Sequence, residues 1–459
     1  AVSEIVDNMA QYADEGVTAI TVTLNEDVTA TSTLTFANDV TFDLNGHTLT
    51  VATNGDGIVV NNAALTLTNS GTTGKYVFDC SVRGSDGIFV NNTEDGKIST
   101  LNINSDVEIH ANSNVNSAVH ALAKKGEAIV NINAGKIVAT GSGKQFHAIH
   151  ADQNSTVNIN DGEFDLNVDF TSYSENNDVV GIAIYGADNK QENITVNING
   201  GTFKVGGKNA FAQVVQVGMS NGYSKNCTVN VSGGEVILNP TENGTGYVYT
   251  TYKTSYATAE ISGGKVSGNV TALVNPYMTV AEIENDGLTI SGGTFTTTSG
   301  TTLNVEKYLA EDATYDAETG TVKTNYVATV NGVGYASLDD AIKAAKDGDT
   351  IYVSAGEYTT YDNASPKKSL TFVGAGAGNT IWTIGNLNNS ASGEGNGDYS
   401  FDGCDTITFK DMTLKSDSKD YRGFIRINNT VVENCTLEGK TAYWGYNTAT
   451  FTEIGRAHV

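Results

Sequence analysis

The sequence predicts an all-β chain wound as a right-handed parallel β-helix, with three strands to each coil. Three observations carry that prediction. The first is a phrase that returns six times: VNINAGKIVA (130–139), VNINDGEFDL (157–166), VNINGGTFKV (196–205), VNVSGGEVIL (229–238), AEISGGKVSG (259–268) and LTISGGTFTT (288–297). Its turn glycines are Gly135, Gly162, Gly201, Gly234, Gly264 and Gly293. They recur at an uneven step of about 30 residues, the period of a solenoid, whose thin units bury an apolar face only by stacking. The second observation is a further apolar phrase in the same order: GIVVNN (57–62), GIFVNN (87–92), SAVHAL (117–122) and HAIHAD (147–152), evenly stepped, then GIAIYG (181–186) after a small insertion. Three strands per coil suit a triangular cross-section, and parallel crossovers within one sheet are right-handed. The third is composition. The 459 residues include 50 glycines but 3 prolines. Corners of a coil need positive φ, and interior strands commit every N–H to a ladder.

Taken in order, SEIVDNMAQYADEG places Ile5, Met9 and Tyr12 on one helical face, with Ser3 as N-cap and Gly16 as stop. The strands AITVTL, STLTF and VTFDLNGHTLTV follow. In the repeats, alternation puts Asn102, Asn131, Asn158, Asn197 and Asn230 on the outside as a ladder. The same alternation puts Ile137, Phe164, Phe203, Val236, Val266 and Phe295 inside as an apolar column. Residues 304–335 lack the glycine turn and are richer in charge. Beyond them a second start appears: Ser337 and Asp340 form a capping box, Leu338, Ala341, Ile342 and Ala345 an apolar stripe, and Gly348 closes the helix before TIYVSAGEY.

Two tandem modules are therefore expected, each with a short N-terminal capping helix: 1–324, of about ten coils and roughly 50 Å tall, and 325–452, whose β-helix is truncated. Residues 453–459, EIGRAHV, resemble a translated adapter of short-read sequencing libraries. They are expected to be an artefact, so that the fragment's natural sequence continues past Thr452.

Charge narrows the partners. There are 26 Lys and Arg against 52 Asp and Glu, a net charge of −26, and only four arginines: Arg83, Arg422, Arg426 and Arg456. Nucleic acid requires a phosphate-neutralising surface and is not expected as a partner. Polyuronates are disfavoured unless a divalent cation bridges the like charges. No apolar run reaches the roughly 20 residues of a membrane span. Cys80, Cys227, Cys404 and Cys435 show no CxxC spacing and read as core thiols.

On these phrases the chain resembles the right-handed parallel β-helix class called pectin-lyase-like. ISGGTF, NVEKYLAEDATYDAETGTVK and ATVNGVGYASLDDAIKAAKDGDTIYV, within residues 288–353, resemble the long repetitive surface proteins of anaerobic bacteria. That resemblance implies an exported, adhesin-like stalk. From residue 337, SLDDAIKAAKDGDTIYVSAGEY, SLTFVGAGAGNTIWT, FKDMTLKS and VVENCTLEG resemble the opening of pectin methylesterases. The Gln-Asp-Thr segment those enzymes carry next is replaced here by Lys440-Thr441-Ala442, so this second resemblance argues fold and not chemistry.

Candidate chemistry is sparse. His120 and His150 hold the same position in the successive phrases SAVHAL and HAIHAD, so they are expected to stack and could share a metal. The same position of the flanking phrases GIFVNN and GIAIYG holds Val90 and Ile184, which supply no further ligand. The pair is therefore read first as stacked polar side chains, with no metal assigned. Arg83 and His47 read as turn residues, and Asp339 and Asp340 as helix-start acids. GAGAGNT (374–380) lacks the Lys-Ser/Thr ending of a phosphate loop. No cofactor is expected; calcium would suit the class, but no motif supports it. The one enriched surface feature is GYVYTTYKTSYATAEI, whose Tyr247, Tyr249, Tyr252 and Tyr256 could offer rings for stacking sugars.

The expected function is a non-catalytic scaffold, secreted or displayed on a bacterial surface, monomeric, and binding glycan or a host polymer weakly. The alternative is a carbohydrate-active pectin-lyase-like enzyme: a polysaccharide lyase, glycoside hydrolase or pectin esterase. An enzyme should show, on one sheet face and inside a groove, paired carboxylates, or carboxylates with Arg or Lys, in adjacent coils. The sequence register offers no such set.

Overall fold

The computed structural model describes residues 20–80, 84–112, 117–140, 145–174, 176–184, 190–218, 223–251, 257–275, 287–300, 302–310, 313–324, 326–360, 367–384, 399–401, 404–416, 424–438 and 443–454. The helix expected at 3–16, Arg83, Tyr252, Tyr256, Lys440-Thr441-Ala442 and most of the terminal EIGRAHV lie outside them. The chain divides into two compact units, Ala1–Lys323 and Thr324–Val459.

In the first unit each coil gives one strand to each of three sheets. The first sheet runs through ten described strands from Ile20–Thr23 to Leu288–Ile290, and the third through nine from Leu34–Phe36 to Ala272–Val274. The second runs from Val28–Ala30 to Gly293–Phe295 and closes on Thr321–Thr324 and Ala313–Asp316, the former pairing antiparallel. Every third strand is a parallel neighbour, which is the topology of a three-sheeted parallel β-helix. The pattern has a simple cause. An alternating strand buries one face, the next coil buries the same face, and apolar residues stack coil upon coil.

The interior column forms as the alternation predicts. Ile137, Phe164, Phe203, Val236, Val266 and Phe295 are register partners in successive coils and all are buried. The Phe164 and Phe203 rings stack with centroids 4.2 Å apart and planes 7° apart. The turns that deliver these strands explain the doubled glycine. Gly201 has φ 82°, which favours glycine. Gly200 is needed for another reason: a Cβ there would sit 2.3 Å from the Asn160 carbonyl oxygen of the coil before.

The second unit has its own core around Phe372, Trp382, Phe401 and Phe409. A hairpin, Ala328–Val330 with Val333–Tyr335, precedes the helix Leu338–Ala344, and two parallel sheets follow. The helix begins where the capping box predicts. Ser337 Oγ accepts from the Asp340 N–H at 3.1 Å and donates to the Asp340 carboxylate at 2.7 Å. At the other end the Lys368 ammonium donates to the carbonyls of Ile342, Lys343 and Ala345, a cation where the helix dipole favours one. All four cysteines are buried thiols.

Candidate functional site

The third sheet carries the densest chemistry, and a repeated kink creates it. Strand pairing there skips Ala118, Ala148, Gly181, Val214 and Val248, one position in each coil. Ala118 and Val119, Ala148 and Ile149, and Val214 and Val215 all join the interior core. A Cβ on Gly181 would meet the interior Phe203 ring at 3.2 Å. Two successive residues thus turn inward, and those on either side turn outward. Val180 and Ala183, on that outer face, form a small apolar cluster apart from the core.

The outer positions hold Asp86, Ser117, His147, Val180, Gln213 and Tyr247 in one line, and Phe89, His120, His150, Ala183, Gln216 and Thr250 in another. Ser117, His147, His150, Asp152, Gln213 and Gln216 are at most 2% exposed, and Asp86, His120 and Asp178 at most 8%. A polar face this buried must satisfy itself with internal partners.

Around His120 it does so in part, at Nδ1 but not at Nε2. Its Nδ1 donates to Asp86 Oδ2 at 2.7 Å, while the Ser117 hydroxyl donates to Asp86 Oδ1. Its Nε2 faces Asp152 Oδ2 at 3.7 Å, beyond hydrogen-bond length. The ring stacks on His150, with centroids 4.1 Å apart and planes at 14°, and lies 4.9 Å from the Phe89 ring. Burial by itself would depress His120, but the flanking Asp152 and Asp86 outweigh it and raise its pKa to about 9. Burial would raise Asp86, and the imidazole beside it wins, leaving that carboxyl lowered.

In the two coils that follow, the balance reverses. Asp178 accepts from Gln213 Nε2 and Gln145 Nε2, each at 2.9 Å, and these neutral donors do not offset burial, so its pKa rises to about 7. Burial depresses His147 to about 4, against the opposing pull of Asp86.

Chemically, the arrangement is not a nucleophile triad, because the Ser117 hydroxyl serves Asp86 and not an imidazole. It is a carboxylate–imidazole–carboxylate set drawn from three adjacent coils. His120, His150 and Asp152 also each offer a donor atom within 4.8 Å of the others, a group with metal-binding potential.

The second sheet bears a different set on its outer face. Lys136 Nζ lies 2.9 Å from Asp165 and 3.3 Å from Glu163, Lys204 lies 2.8 Å from Glu163, and Lys265 lies 2.9 Å from Glu235. These partly exposed pairs link coil to coil.

Several sequence expectations are corrected here. His120 and His150 do pair in register, but their neighbours are Phe89 and Ala183, not Val90 and Ile184. Aligning the phrases by their first residues is one position out of register at both ends: Ser117 pairs with Asp86 and His147 with Val180, each the residue just before the glycine that opens GIFVNN or GIAIYG. The expectation that no carboxylates converge in adjacent coils also fails. Asp86 and Asp152 flank His120, and Lys136 sits among Glu163 and Asp165. The missed signals were Asp152, just after His150, and Asp86 and Asp178, which each open a strand of this sheet.

Tyr247 and Tyr249 do not share a face, because the kink lies between them. Tyr249 joins the core, its hydroxyl 3.3 Å from the Ala257 N–H, and Tyr247 packs 5.4 Å from Phe211. Each is 2% exposed, so neither presents a ring to a sugar. His47 follows the turn at Asn45 and Gly46, its N–H donating to the Leu44 carbonyl at 2.8 Å, and Asp339 and Asp340 open the helix. No described helix is long and apolar enough to cross a membrane.

No protein-family model and no curated protein matches the chain. Among solved structures, the PL6 family alginate lyase AlyGC is similar over 98% of this chain and 78% of its own, at 11% identity and a TM-score of 0.21. A mutant of AlyGC is similar over 97% and 78%, at 12% identity and a TM-score of 0.20. The fold rests on the strand topology above, and no reaction follows from a likeness of that size.

Proposed function

We propose that the chain is a repeat scaffold of an exported bacterial surface protein, non-catalytic, monomeric and contacting glycan or a host polymer weakly. In this reading the two units are successive modules of one class, and the helix Leu338–Ala344 caps the second. One observation carries it: among the described residues many polar side chains of the outer faces bond from coil to coil, and the convergent acid–base set is buried. The Asn ladder, the Lys–Glu pairs and the His120 network all join one coil to the next. A polymer needs an open cleft with unspent donors.

A second reading, a carbohydrate-active enzyme, is favoured by a specific observation: Asp86, His120 and Asp152 converge across adjacent coils. One assay separates the two. The full chain is incubated with polyuronates and neutral glycans, with and without calcium. Binding without turnover supports the scaffold. Turnover that survives Tyr247→Phe and Tyr249→Phe but is lost in Asp86→Asn and Asp152→Asn overturns it and establishes the enzyme.

A further inference from the structure

The outer face of the third sheet contains a buried nitrogen with nothing to bond. His120 Nδ1 donates its proton to Asp86, so once the second ring proton is displaced the lone pair lies on Nε2. Among the described residues that Nε2 is buried and has no hydrogen-bond partner. It points at a carboxylate oxygen, Asp152 Oδ2, 3.7 Å away. A cation that takes the place of that ring proton would meet two electron-pair donors across this gap.

The gap has the dimensions of a coordination sphere. Ligands about 2.1 Å from a tetrahedral ion lie ~3.4 Å apart. The third donor is at hand, since His120, His150 and Asp152 offer one atom each within 4.8 Å. Closing to tetrahedral spacing requires side-chain rotation of about an ångström, together with splaying of two rings now 14° from parallel. Asp86 completes the pattern, because a carboxylate that accepts from the far nitrogen of an imidazole fixes its tautomer and aims the near one.

We infer that His120, His150 and Asp152 form a binding site for one divalent transition-metal ion, best suited to zinc, with Asp86 as the positioning residue. Two imidazoles and a carboxylate favour zinc over calcium or magnesium, which take oxygen ligands. The ion would tie two adjacent coils together, and three protein donors leave a fourth position for water. This inference does not rest on the scaffold reading, because a metal tie serves a scaffold and an enzyme alike.

The test uses the full chain, stripped with chelator and titrated with zinc at neutral pH, with metal content measured after desalting. We expect one zinc per chain, a rise in Tm that grows with zinc concentration, and tetrahedral d–d bands when cobalt is substituted. His150→Ala and Asp152→Asn should each lower affinity at least 100-fold, Asp86→Asn about 10–100-fold, and His110→Ala, which removes a partly exposed His–Glu pair, not at all. No retained zinc, or retention unchanged in His150→Ala and Asp152→Asn, would overturn the site, and the first result would leave a proton as the occupant of the gap. If a variant fails to fold, the wild-type stoichiometry and cobalt spectrum still decide.

Discussion

On the outer face of the first sheet Asn102, Asn131, Asn158, Asn197 and Asn230 hold the same place in successive coils, and one bond repeats. From Asn131 on, each amide nitrogen donates to the amide oxygen of the coil before, at 2.8–2.9 Å. On the outer face of the third sheet, in the same coils, the equivalent lines change residue at nearly every step, from Asp86 to Ser117 to His147 to Val180. The first face is repetitive, neutral and partly solvated. The second is varied, ionised and buried. A ladder spreads its stabilisation evenly and loses little at any rung, whereas a buried charge network concentrates its cost at a few atoms.

The largest effect should come from breaking the network at Asp86. Asp86→Ala removes the partner of a buried imidazole and the acceptor of the Ser117 hydroxyl. Removing one member of a buried ion pair costs about 3–5 kcal/mol, and urea denaturation at pH 7 with chelator present should show a loss of that order. A loss of only ~1 kcal/mol, that of an ordinary neutral hydrogen bond, would mean that His120 is neutral there and that the contrast between the faces is weaker than drawn.

The second effect has the opposite sign and depends on pH. Asp178 has a folded pKa of about 7 against an ordinary 3.8. The folded state therefore holds a proton that the unfolded chain releases, and stability falls as pH rises from about 4 to 7. The difference of about 3 units corresponds to a penalty on the order of 4 kcal/mol at most above pH 7. Asp178→Asn cannot ionise, and Gln145 can turn its amide to accept from the new NH₂. The variant should be more stable than the parent at pH 8 and no more stable at pH 4. Equal stability at both pH values would show that Asp178 is solvated in the native state.

The difference between the faces also explains what the sequence revealed. The Asn ladder and the Phe column were legible because identical residues recur and because alternation survives insertions: the longer coil between Asn158 and Asn197 leaves both on the same face. The site was only half legible. His120 and His150 announced themselves by repeating, and their stacking follows from that alone. Asp86 and Asp152 were hidden because they occur once each and join the cluster through a kink that breaks strict alternation. The same kink separates Tyr247 from Tyr249, which strict alternation would place on one face. Repetition reports the scaffold, and it is silent about residues that matter because they differ.

The smallest effect belongs to the ladder. Asn158→Ala removes two bonds, the one it donates to Asn131 and the one it accepts from Asn197, both 2.8 Å. Water reaches this face, so the orphaned amides regain partners. The net cost should be about 1 kcal/mol, near that of a single intramolecular hydrogen bond. Thermal or urea denaturation, read against Asp86→Ala in the same buffer, gives the ratio that matters. A ladder is also nearly independent of pH, so the Asn158→Ala loss should be the same at pH 4 and pH 8, where the Asp178→Asn difference changes. If Asn158→Ala instead costs as much as Asp86→Ala, the amides act as a cooperative array along the solenoid, and the two faces are held together by the same principle after all.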